Sequence, residues 1–129
     1  MANKVSLKNI PADTKYEPGF ELRFGITDEF TDTKYGTLAR THFPPKSQSR
    51  SHIHKNGDLH WYCMSGKAIW LIGKEKKEIV TEAGDFIYIP RGEIHSTIVP
   101  SETEPVEGVG GYFGCSHPSK SGKEMVKLE

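Results

Sequence analysis

This sequence of 129 residues has no long apolar run, no net charge and few cysteines. No stretch approaches the roughly 18 apolar residues that a membrane-spanning helix needs, so we expect no membrane partner. Lysine plus arginine number 17 and aspartate plus glutamate also number 17. The formal net charge is therefore zero, and no basic stripe indicates a nucleic-acid partner. The first residues lack the apolar segment of a signal peptide, which predicts a cytoplasmic location.

The chain has only two cysteines, Cys63 and Cys115, and their spacing fits neither a zinc knuckle nor a redox pair. We expect both to be ordinary thiols of a hydrophobic core. A chain of this length forms one domain and can bury such a core without disulfides.

Helical periodicity is also lacking, whereas short runs rich in β-branched and aromatic residues are frequent. Turn residues separate these runs at intervals of about ten residues, which predicts an all-β sandwich, barrel or jelly roll. We predict a β-barrel over 20–117, a polar N-terminal arm over 1–19 and a polar C-terminal tail over 118–129. Both ends are expected to be partly loose, or the arm pairs with a second subunit. The predicted strands are 20–26, 35–43, 59–64, 67–73, 77–82, 85–89, 95–99 and 108–115.

Histidine is the residue whose distribution is most uneven, since three of the six lie within SHIHKNGDLH, residues 51–60. On a strand, His52 and His54 point to the same face, because side chains alternate with a period of two. Two neutral imidazoles at that separation suit a divalent transition metal. An isolated pair of this kind is more often surface chemistry, so a third ligand from elsewhere is needed. His95 is the candidate, since it follows a strand and a Pro-Gly turn that returns the chain toward the pair.

The segment around His95 resembles the second signature motif of the cupin superfamily, G(X)5PXG(X)2H(X)3N. Gly84, Pro90, Gly92 and His95 match this pattern, and Val99 stands where asparagine is usual. The match implies a cupin jelly-roll β-barrel, also called a double-stranded β-helix.

The histidine pair resembles the first cupin motif, G(X)5HXH(X)3–4E(X)6G, and precedes the second one in the usual order. His52, His54 and Gly66 match, whereas Lys46 replaces the opening glycine. The glutamate of the motif is missing, because its position holds Leu59. The resemblance implies a metal inside the barrel, with His52, His54 and His95 as ligands.

Two neighbours of the missing glutamate are candidates for a fourth ligand. His60 is favoured, because GDLHWYCMSG resembles a cupin subgroup in which five residues separate the ligand from the last glycine, as WYCMS separates His60 from Gly66. Asp58 is the alternative, although a turn residue that bonds its own backbone is its simpler role. A site of three histidines alone also remains open. His42 and His117 are expected to lie on the surface or outside the ligand set.

Cupins without the acidic ligand include dioxygenases that cleave β-diketones and hydroxylated aromatic ketones. The resemblance therefore favours an iron-dependent dioxygenase that breaks a C–C bond, although copper, manganese, nickel or zinc also accept imidazole ligands. Four histidine ligands would crowd a bidentate substrate and O2 on one ion, which argues against this function.

Two other functions remain open. A non-redox isomerase, lyase or decarboxylase would use a proton carrier, for which Glu93, Tyr62 and Tyr88 are candidates. A binding or sensing module would need no catalytic group. In each case the expected partner is a small molecule, with Arg50 and Trp61 as candidate contacts. The resemblance also implies a homodimer.

Overall fold

The computed structural model describes residues 1–128, and nearly all of its regular structure is β-strand. Two three-residue 3-10 helices, Leu7–Asn9 and Pro118–Lys120, are the only helices among these residues. Neither of them has the length or the hydrophobicity to cross a membrane. The ten strands are β1 (Glu21–Ile26), β2 (Leu38–Phe43), β3 (His52–His54), β4 (Asp58–Ser65), β5 (Ala68–Ile72), β6 (Lys77–Thr81), β7 (Phe86–Ile89), β8 (His95–Ile98), β9 (Val106–Phe113) and β10 (Lys123–Met125).

The strands form two antiparallel five-stranded sheets. The first sheet has the order β1-β2-β9-β4-β7, and the second has the order β10-β3-β8-β5-β6. Side chains from both sheets form one buried hydrophobic cluster. The all-β jelly-roll prediction is confirmed, since consecutive strands repeatedly cross between the two sheets.

Strand alternation decides which side chains of β4 enter the core. Trp61 and Cys63 are buried, whereas His60 between Leu59 and Trp61 is exposed on the outer face. Cys63 and Cys115 are both buried and unpaired, as expected for core thiols.

The two chain ends differ from the loose segments that we expected. Asp13 forms a β-bridge with Leu22, and Glu17 is buried. At the other end, β10 pairs with β3, and Ser121 is completely buried. Both segments are ordered because they cover the end of the barrel at which His52 and His54 lie.

Candidate metal centre

The second sheet brings three histidines together at one end of the barrel. β3 pairs with β8 so that His52 lies directly opposite His95, and alternation puts His54 on the same face as His52. One ligand atom from each of the three rings lies within 4.8 Å of the other two. All three side chains are buried. The structure therefore assembles three of the four histidines that the sequence predicted to be ligands.

Backbone carbonyl groups fix the ring orientation of two of these histidines. Nδ1 of His52 donates to the Arg50 carbonyl at 2.6 Å, and Nδ1 of His95 donates to the Glu93 carbonyl at 3.0 Å. A carbonyl oxygen can only accept, so Nδ1 carries the hydrogen in both rings. Nε2 of each neutral ring is therefore left with a lone pair for a metal, as is usual for metal-ligating histidines.

Both chain ends hold the third ring, that of His54. Its Nδ1 lies 3.1 Å from Ser121 Oγ and 3.2 Å from the Tyr16 hydroxyl. The two hydroxyl groups are themselves 2.6 Å apart. The residues before β1 and those before β10 thus orient one member of the cluster, which sequence reasoning did not anticipate.

Burial keeps the three rings neutral at pH 7. Desolvation is the main cause that lowers the pKa of His52 to about 4, of His95 to about 4 and of His54 to about 2. Repulsion between the rings lowers the pKa of His54 and His95 further. Neutral imidazoles with fixed orientation and free Nε2 atoms are the donor set that divalent transition metals prefer, so these residues fit such an ion.

Glu17 brings a carboxylate to the edge of the cluster. Its Oε2 lies 3.5 Å from His52 Nε2 and 2.8 Å from Lys123 Nζ. Burial raises the pKa of Glu17, and the hydrogen bond and charge of Lys123 oppose that rise. Sequence reasoning missed this residue, because it belongs to the segment that was expected to be a loose arm. The missing motif glutamate was the one sequence signal for a carboxylate from another part of the chain.

The cluster faces a cavity of about 60 Å³ between the two sheets. Trp61 is one of its walls, and its indole Nε1 donates to Thr41 Oγ1 at 2.9 Å. Glu17, Thr41, Ser49 and Thr97 provide polar groups beside the three imidazoles. The apolar walls are Phe20, Leu22, Phe24, Ala39, Phe43, Leu59, Trp61, Trp70 and Tyr112.

Comparison with known families identifies this barrel. The family model described as a cupin domain matches residues 39–109, which include all three clustered histidines. The chain belongs to the cupin family.

Solved structures agree with this cupin fold, at identities that support similarity of fold alone. The polyketide cyclase RemF from Streptomyces resistomycificus is 17% identical with a TM-score of 0.79, over 100% of this chain and 88% of that one. The nucleoside dehydratase Pac13 from Streptomyces is 12% identical with a TM-score of 0.77, over 99% and 93% of the two chains. An oxalate oxidase is 22% identical with a TM-score of 0.71, over 94% of this chain and 62% of that one. No curated protein matches the chain.

His60 is not part of the cluster in this cupin, so its prediction as a fourth ligand is wrong. Its ring lies on the outer face of the first sheet, with its centroid 4.2 Å from that of Phe113 and 5.4 Å from that of Tyr88. Strand parity is the reason, because Leu59 and Trp61 on either side line the cavity. The longer spacing after His54 does not turn His60 inward.

Asp58, the alternative fourth ligand, also lies outside the cluster. Its carboxylate accepts hydrogen bonds from the backbone and the guanidinium of Arg91, at 2.9 to 3.2 Å. These bonds lower the pKa of Asp58. Asp58 therefore links β4 to the turn after β7, rather than capping its own backbone.

The predicted proton carriers also face away from the cavity. Glu93 is exposed, and so is Tyr88 on the outer face of β7. Tyr62 packs on Phe86, with ring centroids 4.7 Å apart. Among the predicted small-molecule contacts, Arg50 is exposed and only its carbonyl reaches His52, whereas Trp61 does line the cavity.

The remaining two histidines lie at the surface, as expected. His42 pairs with Glu107 through Nδ1 at 2.7 Å. His117 pairs with Glu29. Neither residue lines the cavity.

Proposed function

We propose that this cupin is a metal-dependent enzyme that acts on a small organic molecule by non-redox chemistry, such as dehydration, isomerisation or decarboxylation. The observation that carries this proposal is a set of three buried, neutral imidazoles facing a cavity whose walls are largely aromatic. His52, His54 and His95 would hold the cation through Nε2. When bound, the metal supplies Lewis acidity, and iron or copper adds redox chemistry with O2.

The cavity walls bind and orient the substrate. Phe43 stacks on Trp61 with ring centroids 5.6 Å apart, and the rings of Tyr112 and His54 are 4.5 Å apart. These surfaces favour a planar, partly apolar molecule. Burial raises the pKa of Tyr112 well above its usual value, so its side chain adds no charge to this wall of the cavity.

Two considerations favour non-redox chemistry. Glu17 puts an ionisable carboxylate on the cavity wall, which suits a reaction that has to bind or move a proton. In addition, two of the solved structures with the same fold are named as a nucleoside dehydratase and a polyketide cyclase.

A dioxygenase that cleaves a diketone-like or hydroxylated aromatic substrate is the second candidate. One observation weakens the objection that the sequence raised against it. His60 faces outward, so the cluster has three imidazoles rather than four. The crowding expected from a fourth imidazole is therefore absent.

Metal analysis and a paired assay test these candidates. We expect untagged protein to contain close to one equivalent of a divalent metal by plasma mass spectrometry. The metal-loaded protein is then assayed with β-diketones, β-hydroxyketones and dihydroxylated aromatics, in air and under argon.

Turnover under argon with zinc or manganese supports the non-redox enzyme. Turnover that requires iron or copper and consumes O2 supports the dioxygenase. Ligand binding without turnover in either gas contradicts both and favours a binding module. Failure to bind any metal contradicts the proposed site itself.

A further inference from the structure

Glu17 lies at a distance from the histidine cluster that suits a metal ligand. In a tetrahedral site with bonds of about 2.1 Å, neighbouring ligand atoms are roughly 3.4 Å apart. The separation between Glu17 Oε2 and His52 Nε2 is 3.5 Å, which is close to that distance.

The segment around Glu17 is anchored on both sides, which holds its backbone beside the cluster. On one side, the Tyr16 hydroxyl lies 2.6 Å from Ser121 Oγ. On the other side, Phe20 stacks on Phe43 with ring centroids 4.1 Å apart. Glu17 itself is only 7% exposed. A carboxylate that is this deeply buried needs a cationic partner.

Lys123 provides that partner and is itself held in place. Its Nζ lies 2.8 Å from Glu17 Oε2, donates to the Tyr16 carbonyl and lies 4.8 Å from the centre of the Tyr16 ring. These further contacts hold the ammonium group independently of Glu17. The carboxylate can therefore turn from Lys123 toward a divalent ion without leaving the ammonium group uncontacted.

We propose that Glu17 is a ligand of the bound metal. It supplies the carboxylate that the first cupin motif lacks in this chain, because Leu59 occupies the glutamate position. The donor set is then His52, His54, His95 and Glu17. Its carboxylate comes from the segment before β1 rather than from β4. This inference rests on the proposed metal-dependent function, because it assigns a further ligand to the same site.

Metal affinity in charge-matched variants tests the role of Glu17. The Kd for zinc and for manganese is measured by chelator competition in the wild type and in Glu17→Gln, which keeps the shape and removes the charge. We expect a Kd at least tenfold higher in Glu17→Gln. Glu124→Gln is the matched control, since Glu124 is an exposed acid of β10 that pairs with Lys55 at 2.8 Å. Its Kd should stay within twofold of the wild-type value.

A second pair of variants keeps the test decisive if Glu17→Gln folds poorly with Lys123 left unpaired. Lys123→Met is compared with the double variant Glu17→Gln/Lys123→Met, which buries neither charge. Circular dichroism first establishes that both are folded. The Kd should again rise at least tenfold in the double variant, and the visible absorption of bound Co²⁺ should change.

Equal affinities and equal Co²⁺ spectra within either pair would overturn the assignment and leave Glu17 as a partner of Lys123 alone. In that case wild-type protein still binds metal, and the proposed function stands. A wild-type protein that binds neither zinc nor manganese overturns the proposed function together with this inference.

Discussion

At the scale of single residues, hydrogen bonds within the protein orient the rings of the histidine cluster. Nδ1 of each ring already has a hydrogen-bond partner, so the three Nε2 atoms are the ones left for coordination. Orientation by such outer hydrogen bonds typically affects metal affinity by about 10- to 100-fold. The site thus loses little side-chain freedom when an ion binds.

Removing one imidazole from this cluster should strongly weaken metal binding. We expect His52→Ala and His95→Ala each to lose most of the bound metal after dialysis, as measured by plasma mass spectrometry, because the site falls from three imidazoles to two. His60→Ala is the matched control, since it deletes an imidazole that contacts Phe113 on the outer face. Metal loss in His60→Ala, or retention in His52→Ala and His95→Ala, would contradict the ligand assignment.

The same three residues should make the metal-free protein sensitive to acid. Their folded-state pKa values, about 4 for His52 and His95 and about 2 for His54, lie below the unfolded value near 6.5. Between pH 6.5 and 4 the unfolded chain binds protons that the folded chain refuses, so stability is present above pH 6.5 and is lost as the pH falls. The contribution of Glu17 to this pH dependence has the opposite sign, because its folded-state pKa is raised. It is a single group, whereas three histidines contribute in the other direction.

Urea unfolding of the metal-free protein at pH 7 and pH 5 measures this effect. We expect a lower free energy of unfolding at pH 5, and a smaller difference between the two pH values in His95→Gln. Equal or greater wild-type stability at pH 5 would contradict the prediction.

Because side chains alternate along a strand, the sequence predicted that His52 and His54 point to the same face. The Pro-Gly turn predicted that His95 returns toward them. The same parity rule argues against His60, since Leu59 and Trp61 are the apolar neighbours that must face inward. Glu17 was beyond prediction, because no local pattern relates a residue before β1 to a histidine of β3. Such a contact arises only when the whole barrel closes.

At the scale of elements, β9 provides the surface against which Trp61, a residue of the cavity wall, packs. Gly108 and Gly110 leave part of its surface without side chains, and Trp61 packs into that space. A Cβ atom at Gly108 would lie 2.2 Å from the indole. These glycines were included in a predicted strand, but their role depends on pairing between β4 and β9, which the sequence does not reveal.

Gly108→Ala should therefore displace Trp61 and destabilise the protein. Overpacking of this kind costs about 1–3 kcal/mol, measurable by urea unfolding together with a change in tryptophan fluorescence. Gly36→Ala is the control, because a Cβ atom there meets the Phe113 ring at an ordinary 3.7 Å. We expect it to change the free energy of unfolding by less than about 1 kcal/mol. Similar effects of both substitutions would refute the packing argument.

β10 shows a different limit of sequence reasoning. This three-residue strand, Lys123–Met125, has no apolar alternation and lies in a polar tail, so nothing marked it as part of a sheet. Its pairing with β3 brings Lys123 opposite His54 and carries Ser121 into the site. The long-range partner, rather than local propensity, makes it a strand.

At the scale of the whole molecule, the homodimer implied by the cupin resemblance stays a prediction. Phe86 and Tyr88 lie on the same face of edge strand β7 and are 81% and 60% exposed. Such exposure is unusual for two neighbouring large aromatic side chains. We expect analytical ultracentrifugation to give twice the chain mass, and Phe86→Lys/Tyr88→Lys to halve it. Val80→Lys on β6, an edge strand of the second sheet, should leave the mass unchanged. A monomeric wild type would contradict the prediction.

Metal binding should stabilise the entire barrel rather than one loop. The three imidazoles come from β3 and β8, and the groups that orient His54 come from both ends of the chain. An unfolded chain cannot assemble this set, so the ion binds the folded state preferentially. Free metal at 100 times its Kd should then raise the free energy of unfolding by about 2.7 kcal/mol.

Urea unfolding with and without zinc measures this stabilisation, with His95→Ala as the variant that lacks a ligand and His60→Ala as the control that keeps all three. We expect the zinc-dependent increase in His60→Ala to equal that of the wild type and to vanish in His95→Ala. An equal increase in His95→Ala would mean that zinc binds elsewhere on the folded protein, since the two imidazoles left on β3 cannot retain the ion with the same affinity.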